Sequence, residues 1–193
     1  MCLIANIIFL IVIMIGRIVM YYRLTGKWGL ENFSFDSIYS LFISTILTIG
    51  WLGIFVLSIL DYYQYLHPQY KFGFVGDIIG WIIFGFGLIM ASKGQAQMGV
   101  SWQFAGSNSD DTELITHGLF QYSRNPIYTG VIVSFIGCIF LFPHHLMVMF
   151  FSFLYLSIDA KIRYIEEPHL KKVHGLEYEE YCNQVNRFFP LSF

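Results

Sequence analysis

Between residues 127 and 158 the chain runs for 32 residues without an Asp, Glu, Lys or Arg. A membrane span takes about 20 mostly apolar residues, so the run is too long for one span. Pro143-His144-His145 interrupts it near the middle. Proline has no N–H to donate and clashes with the preceding turn, so the helix must stop there. The pattern predicts a tight helical hairpin that returns the chain to the side it left. At 1.5 Å per residue each arm reaches about 24 Å. That is short of the roughly 30 Å hydrocarbon core, so the far side is barely reached.

Three further apolar runs precede the hairpin, at residues 3–22, 38–60 and 74–91. Arg17 lies near the end of the first and can snorkel to the interface. The third needs Asp77 at its boundary, and its Gly76, Gly80, Gly85 and Gly87 suit close helix–helix approach. The chain is 56% apolar and 12% charged. A soluble domain carries about 25% charged residues. This composition excludes a disordered chain, a nucleic-acid binder and an ordinary cytosolic enzyme. The expected fold is an all-α integral membrane protein of about five transmembrane helices. Residues 1–193 form one membrane domain, with three spans in 1–91, then a loop, the hairpin and a helical tail in 92–193.

Charge placement gives an expected orientation. With five segments and the N-terminus outside, ten of the eleven Lys and Arg fall on the inner side and only Lys71 outside. This positive-inside bias puts the 92–126 loop and the 161–193 tail on the cytoplasmic face. The apolar N-terminus reads as a retained span rather than a cleaved signal peptide.

Several chemistries find no support. The three cysteines, Cys2, Cys138 and Cys182, are scattered and give no disulfide framework or CxxC site. No GxSxG, HExxH, P-loop or dinucleotide fingerprint occurs. Glu166 and His169 have the E-x-x-H spacing of di-iron bundles, but one copy interrupted by Pro168 does not make a metal site. His144 and His145 are adjacent, point apart on a helix and suit a turn role. Few ionisable residues lie inside the first three runs, which argues against an ion pathway.

Two polar segments remain. Residues 98–130 form a Gly- and Ser-rich loop whose Trp102, Phe104, Phe120 and Tyr122 argue against disorder. It ends in Arg124-Asn125-Pro126. Asn favours the N-cap and Pro the first helical turn, so the next helix should begin there. A helix N-terminus beside an arginine can seat a carboxylate or phosphate, or it can be a plain capped helix with a snorkelling arginine. The second segment is residues 161–190. Arg163 and Glu166, three apart, share a helix face. Glu166 and Glu167 at the membrane rim can bind ribose hydroxyls or an ammonium group, or form a solvated helix end. Pro168 should break or bend the helix. Residues 176–185 read as a short amphipathic helix with Tyr178, Tyr181 and Val185 on one stripe, lying on the interface or closing over a site.

Taken together, the two segments resemble the isoprenylcysteine carboxyl methyltransferase family and its phospholipid methyltransferase relatives. The matching pieces are Leu114-Ile115-Thr116-x-Gly118-x-Phe120, Arg124-Asn125-Pro126-x-Tyr128-x-Gly130, Glu166-Glu167, Gly175-x-Glu177-Tyr178, Tyr181, Arg187 and Pro190. The resemblance covers the C-terminal half from Met98 onward. It implies a small membrane methyltransferase using S-adenosyl-L-methionine, with the cofactor enclosed near the cytoplasmic surface. Carried over by position, Thr112, Glu113, Leu114 and Ile115 line the adenosine region, with Gly118 in the same motif. Phe120 packs on the cofactor where the family often has Tyr. Arg124, Asn125, Pro126, Tyr128 and Glu166 complete the cofactor set, and Gln103 matches a polar family position.

The family's R-H-P is R-N-P here, and the arginine expected four residues before Glu166 is Ile162, with Arg163 next door. Arg163 is therefore the candidate contact for an acidic acceptor, and Glu167 the candidate proton acceptor for an amine. The implied partners are a lipophilic or lipidated substrate and membrane lipid, with no nucleic acid and no metal. The implied acceptor classes are an isoprenylcysteine carboxylate, a phospholipid amine and a small thiol. The expected location is a bacterial inner membrane rather than the endoplasmic reticulum. Two other readings stand beside this one. The tail also looks like the end of membrane sterol reductases, and a non-enzymatic transport or assembly protein would share the spans.

Overall fold

The computed structural model describes residues 1–26, 38–99 and 114–188. Six helices carry the architecture: α1 (Cys2–Thr25), α2 (Ile38–Tyr62), α3 (Gly73–Met98), α4 (Pro126–Leu141), α5 (His145–His174) and α6 (Leu176–Gln184). No strand occurs among the described residues. α1, α2, α3 and α5 are long and apolar enough to cross a membrane, and α4 is a shorter apolar helix. The protein is thus an integral, multi-pass membrane protein built as expected, with α4 and α5 as the hairpin.

The hairpin turn has its own locks. The Pro143 carbonyl accepts from the Gln69 and Tyr70 amides at 3.0 and 3.3 Å. His144 caps α5, its Nδ1 accepting from the Leu146 amide at 3.1 Å. The histidine pair therefore serves the turn. At the same end, the buried Asn6 of α1 donates to the Ser58 hydroxyl of α2 at 2.9 Å. An interhelical polar bond of this kind holds helices where apolar lipid gives no hydrophobic drive.

The tightest helix pairing is α3 against α4. Of the four glycines expected to serve close approach, Gly80 and Gly87 do so. A Cβ on Gly80 would meet the Leu141 side chain and the Gly137 carbonyl, and one on Gly87 would meet the Ser134 backbone. Gly85 faces open space, and Gly76 meets only Phe72. The α4 side of the seam is also glycine, at Gly130 and Gly137. Ser134 fits the same seam, its hydroxyl donating to the Gly130 carbonyl at 2.9 Å. Near one end the seam carries Gly94 against Ile127 and Pro126. So the start of α4 is registered on the end of α3.

Of the two outcomes expected at Pro168, a break does not occur, and the helix continues to His174. A π-helical turn at Ile162–Glu166 comes first, and Pro168 falls in the first turn of the regular helix that resumes at Glu167. Proline is tolerated in such a first turn, where its missing N–H removes little. The extra residue in the π turn also changes which side chains face inward.

Candidate functional site

The Arg124-Asn125-Pro126 corner is the hub of the site. Pro126 opens α4 as expected. Asn125 takes the N-cap position, but its side chain does not cap the helix. Instead its Nδ2 donates to the Arg187 carbonyl at 3.2 Å. The same carbonyl accepts from the Asn125 amide at 3.2 Å and the Ser123 hydroxyl at 3.1 Å, while the Arg124 amide donates to the Asn186 carbonyl at 2.9 Å. The motif is laced by backbone to the C-terminal tail, 62 positions later in sequence.

Arg124 ties the corner to two further elements. Its Nη1 donates to the carbonyls of Cys182 and Val185 at 3.0 and 2.7 Å, at the end of α6. Its Nη2 donates to Glu167 Oε1 at 2.8 Å. Arg187 donates to both Glu167 oxygens, at 2.9 Å through Nε and 2.6 Å through Nη2. Glu167 is therefore clamped between two guanidinium groups, and all three side chains are at most 22% exposed. The fork geometry of Arg–carboxylate pairing makes such contacts strong and directional. Hydrogen bonding to Glu167 holds the Arg187 guanidinium above its ordinary value. Asp159 closes the network, 3.5 Å from Arg187 Nη1.

A second cluster lies beside the first. Tyr128, on the first turn of α4, donates its hydroxyl to Glu166 Oε1 at 2.5 Å. Lys161 Nζ is 3.5 Å from the same oxygen and 5.6 Å from the Tyr128 ring centroid. Lys161 and Glu166 are five apart, the spacing at which a π turn aligns side chains. Glu166 keeps 31% of its side chain exposed. Glu166 is thus a partly exposed carboxylate held by a phenol hydroxyl, with the Lys161 ammonium over the phenol ring.

The preceding segment is tied to α3 and α6. Leu114 and Ile115 are half-buried in extended chain, followed by a tight turn at Gly118–Gln121. Gly118 has φ +66°, which glycine adopts without strain. The Leu119 amide donates to Gln97 of α3 at 2.9 Å. Phe120 is buried, and its carbonyl accepts from the Tyr181 hydroxyl of α6 at 2.6 Å. Burial pushes the Tyr181 phenol up to about 12. Tyr178 and Tyr181 are buried, so α6 turns its tyrosines inward against this segment. Tyr181→Phe leaves the Phe120 carbonyl unpaired and is expected to cost about 1–2 kcal/mol. Thermal unfolding of the purified variant checks it.

The structure thus brings Leu114, Ile115, Gly118, Phe120, Arg124, Asn125, Pro126, Tyr128, Glu166 and Glu167 to one end of the bundle. Gln103, Thr112 and Glu113 lie outside the described residues. Arg163 stands apart. Its side chain is 50% exposed and pairs with Asp159 at 3.2 Å, so it joins the network only through that carboxylate. The shared face expected for Arg163 and Glu166 does not form, because the π turn rotates Glu166 toward Tyr128 and Lys161. Lys161, Asp159, Ser123 and Gln97 carry the site and drew no notice as sequence. Lys161 reads only as one more basic residue until the π turn supplies the five-residue spacing. Among the described residues no group of three His, Cys, Asp or Glu side chains could hold a metal ion.

The chain is similar to known proteins in sequence and in fold. The chain is 27% identical over 119 residues to a probable protein-S-isoprenylcysteine O-methyltransferase of Oryza sativa subsp. indica, covering 57% of this chain and 62% of that one. It is 26% identical over 129 residues to the protein-S-isoprenylcysteine O-methyltransferase of Schizosaccharomyces pombe, covering 64% and 55%. The chain thus spans about six-tenths of the length of these relatives. In fold it is similar to the solved structure of the eukaryotic intramembrane Ras methyltransferase ICMT, with a TM-score of 0.59 and 20% identity over 91% of this chain and 61% of that one. Residues 75–177 match the profile described as phospholipid methyltransferase. The match runs from the start of α3 to the first turn of α6 and takes in Arg124, Tyr128, Lys161, Glu166 and Glu167, while Arg187 lies beyond it. The chain belongs to the phospholipid methyltransferase family.

Proposed function

We propose that this protein transfers a methyl group from S-adenosylmethionine to a lipophilic acceptor at the membrane surface. The observation that carries the reading is the Tyr128–Glu166–Lys161 cluster beside the Arg124–Glu167–Arg187 clamp, on the end of the bundle where the family motif lies.

The residues fit the donor in their chemistry. A sulfonium is a cation, and the partly exposed Glu166 carboxylate attracts one by charge. Leu114 and Ile115, both half-buried, supply apolar surface for a purine. The cofactor supplies a methyl group already activated for transfer. The protein's part is then to align the reactants and exclude water. α6 covers the corner, Glu166 and Tyr128 orient charge at its edge, and the apolar helices admit a lipid from the side. Glu167 has both oxygens engaged by guanidinium groups, so it holds the motif to the tail rather than accepting a proton. Arg163 is half exposed and pairs with Asp159, and its role in this reading is to meet an acidic group on the acceptor. The methyltransferases named above favour a lipidated carboxylate as that acceptor. A carboxylate needs no general base. The face carrying the site is the cytoplasmic one on the positive-inside rule.

Calorimetric titration of the detergent-purified protein with S-adenosylhomocysteine is the test. Glu166→Gln is expected to weaken binding about tenfold, since a charge-assisted contact is lost. Its melting temperature should fall less than that of Glu167→Ala, because an amide oxygen still accepts from Tyr128 and only Lys161 loses its carboxylate. Absence of heat from the wild-type protein would overturn the reading. Membranes given a methyl-labelled donor should place label in a lipid or lipidated-protein fraction. Label confined to volatile products would exclude the lipidated acceptor.

A further inference from the structure

Of the site's two adjacent glutamates, Glu166 is the more exposed, and Lys161 sets a cation against it. Lys161 Nζ lies 3.5 Å from Glu166 Oε1 and 5.6 Å from the Tyr128 ring centroid. Tyr128 donates its hydroxyl to the same oxygen at 2.5 Å. The π turn at Ile162–Glu166 makes this arrangement, because it brings residues five apart onto one side of the helix. A surface lysine swings freely in water. This one is only 18% exposed, held by the carboxylate at its tip and the ring beneath it.

The neighbouring cations are engaged elsewhere. Arg124 and Arg187 both bond Glu167, and Arg163 pairs with Asp159. A positively charged ligand drawn to Glu166 therefore meets two opposed charges. The carboxylate attracts it, and the Lys161 ammonium beside that carboxylate repels it. A neutral ligand of the same shape meets no such repulsion.

We infer that Lys161 is a built-in counter-cation that sets charge selectivity at this site, weakening the hold on a cationic sulfur relative to a neutral one. The inference rests on the proposed methyl transfer, in which Glu166 faces the donor. In that transfer the acceptor's lone pair forms the new bond to the methyl carbon, and the S–CH3 electron pair stays on sulfur. The sulfonium becomes a neutral thioether. Repulsion from Lys161 is thus present before transfer and gone after it. Such an interaction raises the free energy of the bound donor more than that of the transition state, so it speeds transfer while loosening donor binding.

S-Adenosylmethionine and S-adenosylhomocysteine differ only in the methyl group and the charge on sulfur, so their affinities are compared by calorimetric titration of the detergent-purified protein. Lys161→Met keeps an unbranched stem beside the Tyr128 ring and removes the charge. It is expected to raise affinity for S-adenosylmethionine about fivefold relative to S-adenosylhomocysteine. Lys161→Arg keeps the charge and should hold the wild-type ratio. Lys161→Gln gives the neutral comparison where Lys161→Met fails to fold. A lysine that only braces the fold, or that touches the portion both ligands share, would move the two affinities together. An unchanged or lowered ratio in the folded neutral variants therefore overturns the inference and leaves the methyl-transfer reading standing. The same rise in Lys161→Arg overturns it too, since shape rather than charge would then be responsible. Failure of both ligands to bind wild type overturns the methyl-transfer reading and the inference with it.

Discussion

Glu167→Ala is expected to lower the stability of the purified protein by about 3 kcal/mol, since removing one partner of a largely buried ion pair strands the other charge. Here two charges are stranded, because Arg124 and Arg187 converge on the same carboxylate. Three segments should loosen together: the corner before α4, the end of α6 and the tail at Arg187. Binding of S-adenosylhomocysteine should fall in parallel. Glu167→Gln should be milder, because an amide oxygen still accepts from one guanidinium. Arg163→Ala is the control. It removes an exposed pair with Asp159, worth about 0.5 kcal/mol. Thermal unfolding of the three variants gives the order. A Glu167→Ala protein no less stable than Arg163→Ala would show that the clamp does not hold the site together.

The second large effect lies in the membrane. Gly130→Leu is expected to destabilise the bundle by about 3 kcal/mol or more, the upper part of the range for overpacking. A Cβ on Gly130 would stand 2.5 Å from the Ala91 amide nitrogen and 2.6 Å from the Gly87 carbonyl. Backbone cannot swing aside as a side chain can, so α3 and α4 must separate. Separation shifts Pro126 off Gly94 and carries Tyr128 away from Glu166. Gly85→Leu tests the specificity of the effect. No atom lies within 4 Å of a Cβ there, so its stability should stay within about 0.5 kcal/mol of wild type. Size-exclusion profiles and melting temperatures in detergent separate the two variants. Equal behaviour would mean that close approach of α3 and α4 is not what registers the corner.

The residues themselves show why some of this was legible beforehand. The span pattern needed only composition and length, because lipid forces every backbone polar group into a helix. The 143–145 interruption named the hairpin turn for the same reason. The Arg124-Asn125-Pro126 corner and the two glutamates were visible through their resemblance to a known family. What each does there was not. Asn125 looked like a capping side chain by local preference, yet it reaches a carbonyl 62 residues away. Arg124 looked like a seat for a bound anion, yet its two terminal nitrogens go to the tail and to Glu167. Local propensity ranks the short-range options, and a tertiary partner outbids them when it arrives.

Hydrophobic length along the chain alone determined that this is a multi-pass helical protein with a terminal hairpin. That follows because the bilayer acts on each segment separately, whatever its neighbours. Which glutamate would join which arginine was decided only in three dimensions. A single π turn at Ile162–Glu166 sends Glu166 to Tyr128 and Lys161 and leaves Glu167 for Arg124 and Arg187. One residue of added winding rotates everything beyond it, and the energy that stabilises that winding comes from contacts with α4 and the tail.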